Sequence, residues 1–220
     1  MMLRRLALTV AAGLLLAACS GGSDGKNADP APNPSASQAT VDPKEPACSF
    51  LTAGERKELA GSAIDTVVAT NGTDQSSQCR WQGSTGLIQV TTLPAQAWAK
   101  TLPQVVKQLE SSGGVKTAAD KKELARAKKL LSGASSFTGK QACAAFTTLA
   151  EINGAKKGAT TTISQVPITE SESGVSAQMC TSGEMTSLIF SVPDLRKTKA
   201  VDSAVTKALA AVQKRAVATR

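Results

Sequence analysis

The chain contains no histidine and no tyrosine, and aromatic residues make up only 3% of its 220 residues. Histidine is the commonest general base near neutral pH and a frequent zinc ligand, so its absence disfavours triad hydrolases and zinc sites. No phosphate-binding loop of the Gly-x-x-x-x-Gly-Lys type is present either. We therefore expect a protein that is not an enzyme and that holds no metal ion and no cofactor.

The first eighteen residues have the features of an export signal. Arg4 and Arg5 precede an apolar run from Leu6 to Ala18. This run is shorter than the ~20 residues that a membrane-spanning helix needs, whereas a basic start and a small-residue cleavage site are typical of a signal peptide. The run ends in Leu-Ala-Ala-Cys, which matches the bacterial lipobox. We predict a signal peptide over residues 1–18 and a thioether-linked diacylglycerol on Cys19, which places the protein on the outer face of the cytoplasmic membrane.

Residues 19–46 have the composition of a linker. They are rich in Gly, Ser, Ala, Asn and Pro and contain almost no large apolar side chain, so they cannot build a core. Their reach by coil scaling is on the order of 30 Å. The four basic and four acidic residues of the first 46 balance, so the rest of the chain carries the whole net charge of +8. This charge favours anionic partners, but a nucleic acid is not expected outside the cell.

The four remaining cysteines form an even set in an exported chain, which favours disulfides. The segments around them resemble each other, since Ala47–Thr52 is echoed by Ala142–Thr147, and the second cysteine of each half leads through glycine into a β-rich segment. From this echo we predict an internal duplication with the bridges Cys48–Cys79 and Cys143–Cys180. The alternative is that local rules alone produce the similarity.

The pattern of apolar and capping residues predicts an α+β fold. Thr-x-x-Glu capping boxes at Thr52 and Thr148 predict two helix starts, and β-branched residues are dense over 66–70 and 160–166. Helical stripes follow each predicted hairpin, the first with Trp98 on its apolar face. We expect two tandem α-β-β-β-α units, over 47–115 and 139–220, with an antiparallel sheet and helices on one face.

A basic segment, residues 116–138, connects the two predicted units. Its spacing predicts a helix with an apolar side and a basic side. The basic side is a candidate surface for lipid headgroups or an acidic partner, and the alternative is a solvated connecting helix. The candidate partner-binding residues are Lys121, Lys122, Arg126, Lys128 and Lys129.

The segment Pro46-Ala-Cys-Ser-Phe-Leu-Thr52, followed by Cys79-Arg80-Trp81, resembles a family of actinobacterial cell-envelope lipoproteins of unknown function. The similarity covers the lipobox, the linker and the first half well, and the chain beyond Gly113 only loosely. It implies a globular part outside the cytoplasmic membrane and brings no known activity.

These observations lead to two hypotheses about function. The first is a lipid-anchored, non-catalytic interaction module whose partner is an envelope protein, an anionic lipid headgroup or a cell-wall polymer. The alternative is a carrier of a lipid or another small apolar ligand, which requires a deep cavity between helices and sheet.

Overall fold

A computed structural model describes residues 45–220, apart from residues 71, 73–74, 112–116, 170–171 and 197. The predicted signal peptide, the predicted lipidation site Cys19 and residues 20–44 of the predicted linker lie outside the described residues.

The described chain contains five α-helices and six strands. A short 3₁₀-helix, Pro46–Ser49, comes before the first α-helix and another, Ala134–Ser136, comes between the third and the fourth. In chain order the other elements are α1 (Ala53–Ala60), β1 (Val67–Ala69), β2 (Ser77–Gly83), β3 (Gly86–Pro94), α2 (Ala95–Ser111), α3 (Ala118–Leu131), α4 (Gly139–Ile152), β4 (Thr161–Pro167), β5 (Ser173–Thr181), β6 (Glu184–Ser191) and α5 (Lys199–Ala218).

The strands form one antiparallel sheet in the order β1-β2-β3-β6-β5-β4. β3 and β6 are the central pair, with Val90 opposite Leu188. In each half, a tight hairpin turn joins the last two strands. Ser182 and Gly183 both have positive φ, which suits the tight β5–β6 turn. At the β2–β3 turn a Cβ on Gly86 would lie 2.4 Å from the Ser191 carbonyl oxygen, so only glycine fits. The predicted α+β class and antiparallel sheet are confirmed.

One face of the sheet, here called the α5 face, packs against α1 and α5. Alternate strand residues supply it, because successive side chains of a strand point to opposite faces. Trp81 and Phe50 both lie in this core. The strand residues of this core are Cys79, Trp81, Ile88, Val90, Val175, Ala177, Leu188 and Phe190, and α5 contributes Val205, Ala208, Leu209, Val212 and Ala216.

The opposite face, here called the α4 face, packs against α2 and α4 at one end of the sheet. Its strand residues Leu93, Cys180 and Met185 contact a cluster that includes Trp98 and Phe146. The two rings meet edge to face, with their centroids 5.8 Å apart. A second hydrophobic core therefore lies on the side of the sheet away from α5.

The expectation that helices cover one face is not confirmed, because helices lie on both faces. Connection length is one physical reason. Ala95 begins α2 directly after β3, and its N–H donates to the Gly183 carbonyl at 2.8 Å, which turns the helix onto the α4 face. β6 ends at Ser191 and α5 begins only at Lys199, and this longer connection allows α5 to reach the other face. The first helix of each half thus shares a face with the last helix of the other half, and equivalence of the halves as tandem units is not confirmed.

Both predicted disulfides are present, Cys48–Cys79 and Cys143–Cys180. Their positions are not equivalent, however. Cys79 comes four residues before the end of β2, whereas Cys180 comes one residue before the end of β5. This odd offset turns the two side chains to opposite faces of the sheet. Each bridge therefore secures a different helical layer.

The predicted helix start at Thr52 is confirmed, with the Glu55 carboxylate accepting from the Thr52 N–H at 2.8 Å. The start predicted at Thr148 is wrong. α4 begins at Gly139, capped by Thr138, and Thr148 lies inside the helix, where its hydroxyl donates to the Ala144 carbonyl. A Thr-x-x-Glu pattern has the same spacing in a helix interior as at a helix start, so the pattern alone does not distinguish them.

Candidate functional site

The predicted basic helix is α3, which has its own start signal. The Thr117 hydroxyl accepts from the Asp120 N–H at 3.1 Å, and the Asp120 carboxylate accepts from the Thr117 N–H at 2.8 Å. This reciprocal capping box satisfies two amide groups that the first helical turn leaves without partners. Lys128 and Lys129 in the last turn interact favourably with the helix dipole.

The apolar side of α3 is buried against the helices of the α4 face. Leu131 belongs to the same hydrophobic cluster as Trp98 and Phe146, and α3 contacts both α2 and α4. The buried positions are Asp120, Leu124, Ala127 and Leu131. This spacing follows the helical period, so packing fixes which side of α3 faces outward.

All five predicted partner-binding residues of α3 are exposed. At 100° per residue, Lys122, Arg126 and Lys129 point away from the buried side and form one line, here called the basic row. Lys121 and Lys128 lie on one flank, nearer the body of the protein. The structure thus brings the five residues together on one surface.

The five residues differ in their partners. Lys128 Nζ lies 2.6 Å from Glu110 Oε1 of α2, and both side chains are well exposed, so the pair contributes little stability. The other four basic side chains of α3 form no ion pair with any described residue. Their charges are available to an external partner.

The surface suits electrostatic contact. α3 contains no aromatic residue, and its leucines face inward or are partly buried. Among the described residues the only large exposed hydrophobic side chain is Val68, which lies in β1 and not in α3. A helix with this distribution attracts an anionic surface without supplying an apolar anchor for insertion into a bilayer.

A buried polar cluster that the sequence did not indicate lies at the start of β6. The Glu184 side chain is only 4% exposed, and both its oxygens accept from the Arg220 guanidinium at 3.1 Å. The Gln213 amide donates to the carbonyl oxygens of Thr181 and Glu184. Burial raises the pKa of Glu184, and this effect outweighs the opposing effect of Arg220. No local sequence pattern predicts the cluster, because its members are far apart in sequence.

We expect Glu184→Gln to stabilise the protein more at pH 7 than at pH 4, relative to the wild type. A carboxyl whose pKa is raised by folding contributes stability below its unfolded pKa and loses it as pH rises through the folded value. Glutamine resembles the protonated form and has no such loss. Urea unfolding of both proteins at the two pH values measures the difference. If the stability gain of Glu184→Gln over the wild type is the same at both pH values, or is smaller at pH 7 than at pH 4, this account is contradicted.

Glu55 is a second carboxyl with a shifted pKa, but it does not affect the comparison of Glu184→Gln with the wild type. Hydrogen bonding to Arg215 lowers the pKa of Glu55 from 4.5 to about 2, so its stabilising effect is full at pH 7 and is lost progressively as pH falls from about 4.5 to about 2. The Arg215 guanidinium also donates to the Phe50 carbonyl and so joins α5 to the segment before α1. Because both proteins contain this contact, its pH dependence cancels in the difference.

A crevice between α1 and α5 bears on the carrier hypothesis. Its volume is about 70 Å³, and Leu59, Ala204 and Ala208 are among the residues that line it. Pockets for small-molecule ligands typically measure about 300–1,000 Å³. This crevice is therefore too small for a lipid or for most apolar ligands.

Within the described residues, no group of three or more His, Cys, Asp or Glu side chains is arranged to hold a metal ion. Likewise, none of the helices placed by the structure combines the length and apolar character that crossing a membrane requires. No protein-family model matches the sequence, and no curated protein or solved structure matches it.

Proposed function

We propose that this protein is a lipid-anchored, extracytoplasmic envelope protein that acts as a non-catalytic interaction module. The lipobox ending at Cys19 and the linker that follows support the anchor. Two disulfides support an oxidising compartment, since such bonds are rare in the reducing cytosol. The resemblance to actinobacterial envelope lipoproteins agrees with both.

The observation that carries the interaction function is the basic row, Lys122, Arg126 and Lys129. Its side chains are exposed, point away from the buried side of α3 and have no described ion-pair partner. Contact with an anionic partner costs these long side chains rotamer entropy but breaks no ion pair with a described residue. We propose that the basic row binds an anionic partner in the envelope.

The triple variant Lys122→Gln/Arg126→Gln/Lys129→Gln is expected to bind soluble polyphosphate about 10- to 100-fold more weakly than the wild type at low salt. Each contact with a phosphate releases counterions, so the slope of log affinity against log salt should also fall by about 2 to 3. Calorimetric titrations between 50 and 200 mM NaCl measure both quantities. The chain used begins at residue 19 and carries Cys19→Ser to prevent acylation.

The matched control is Lys57→Gln/Lys199→Gln/Lys214→Gln. These lysines are exposed and lie in α1 and α5. Their substitution removes the same net charge as the triple variant does. The control should retain binding within about threefold of the wild type. Equal losses in the two variants would mean that net charge alone, and not the basic row, governs binding.

A further inference from the structure

We propose that the basic row docks the protein on the anionic bilayer to which Cys19 anchors it. This inference rests on the proposed function and names the partner of the same surface. The basic row lies on one helix, and its end residues are seven positions apart, about 10 Å along the axis. A row of this form fits an extended charged surface.

The residue types also favour lipid headgroups. Two of the three residues in the basic row are lysines, which act as flexible point charges, whereas Arg is preferred where a fixed bidentate geometry is recognised. Lys121, on the flank, adds another unpaired lysine. Headgroups are mobile and closely spaced, so they can adapt to side chains that hold no fixed geometry.

The strength of the contact explains why an anchor is needed. Each Lys or Arg near an anionic leaflet strengthens binding about fivefold, so four unpaired residues give a dissociation constant in the millimolar range. The leucines of α3 are buried or partly buried and its exposed apolar residues are alanines, so the helix adds little insertion energy. A flexible tether supplies a millimolar effective concentration, which is enough to populate the docked state. Untethered protein at micromolar concentration should not dock.

The positions of α3 and of the first described residues determine what docking requires of the linker. The 3₁₀-helix Pro46–Ser49 packs on the α5 face through Cys48, whereas α3 packs with α2 and α4 on the other side of the sheet. Docking through α3 therefore requires the segment between Cys19 and Pro46 to reach from the α5 face to a bilayer that contacts the other helical layer. A linker reach of about 30 Å allows this.

Lysine acetylation tests the inference on the lipidated full-length mature protein. The protein is added to preformed vesicles of phosphatidylcholine alone or of phosphatidylcholine with 30% phosphatidylglycerol, and a membrane-impermeant acetylating reagent is applied. We expect acetylation of Lys122 and Lys129 to slow at least fivefold on the anionic vesicles and to recover in 0.5 M NaCl. Lys57, Lys199 and Lys214 on α1 and α5 are the internal controls and should not change.

Two results would overturn the docking inference. One is an unchanged rate at Lys122 and Lys129, and the other is equal slowing at the three control lysines. The Cys19→Ser protein should show no slowing with the same vesicles, and strong slowing there would contradict the need for a tether. If the anionic vesicles fail to protect the basic row but the polyphosphate result holds, the bilayer is the wrong partner and the proposed function stands. If both fail, the proposed function fails with it.

Discussion

Cys19→Ala is expected to abolish incorporation of labelled glycerol and fatty acid into the protein. Cys19 is the only cysteine outside the two disulfides, and a thioether cannot form on alanine. Each buried acyl CH₂ contributes about 0.8 kcal/mol to membrane binding, so two long chains give stable attachment where a single chain binds only marginally. The loss of label should therefore be complete. Metabolic labelling followed by immunoprecipitation measures it.

The control for this experiment is Cys48→Ala/Cys79→Ala, which removes two other cysteines and should keep the label. Detergent-phase partitioning of the immunoprecipitated wild type gives a second readout of the acyl chains. Label in the Cys19→Ala protein, or an unlabelled wild type, would refute the lipid anchor and with it the tethered docking described above.

Removing either disulfide is expected to lower the free energy of unfolding by about 3–4 kcal/mol. The bridges join residues separated by 31 and 37 positions, and in the chain-entropy model the loss follows from freeing loops of this length in the unfolded state. Total stabilities of small domains are about 5–15 kcal/mol, so this is a large fraction. Urea unfolding of Cys48→Ala/Cys79→Ala and of Cys143→Ala/Cys180→Ala measures each effect.

A reducing agent supplies the internal comparison for the disulfide variants. It should destabilise the wild type more than either double variant, since each variant has only one bridge left to lose. Free thiols in the native protein, or an unfolding midpoint that is insensitive to reductant, would contradict the bridges. The Cys48 variant should also loosen the segment before α1, where Ala47 and Leu51 are fully buried.

Local signals explain what the sequence predicted correctly. The turn residues Gly83 and Gly86 and the β-branched residues around them marked the first hairpin, and the capping box at Thr52 marked α1. The similar sequences around the cysteines led to the correct disulfide pairings, Cys48–Cys79 and Cys143–Cys180. The residues that mark the hairpin and the helix start are close together in the chain, whereas the pairing of the cysteines was inferred from the similarity of the two halves.

The arrangement of the helices could not be predicted in the same way. Which face a helix covers depends on connection length and on which strands become central, and both follow from long-range pairing such as Val90 with Leu188. The Glu184–Arg220 contact is similar, since its partners are 36 residues apart. For the candidate site, the helical period identified the basic surface, but only the structure shows that Lys128 has a partner in Glu110.

The exchange of helices across the sheet has a kinetic consequence. Neither half completes a helical layer, and the central strand pair joins Val90 to Leu188, roughly one hundred residues away. Non-local pairing of this kind must pay loop-closure entropy before it gains stability, which slows folding. A nascent chain that ends before β6 leaves β3 as a bare edge open to aggregation. We therefore expect stable pairing of the central strands only after the chain has been made nearly to its end, because β6 completes the pair.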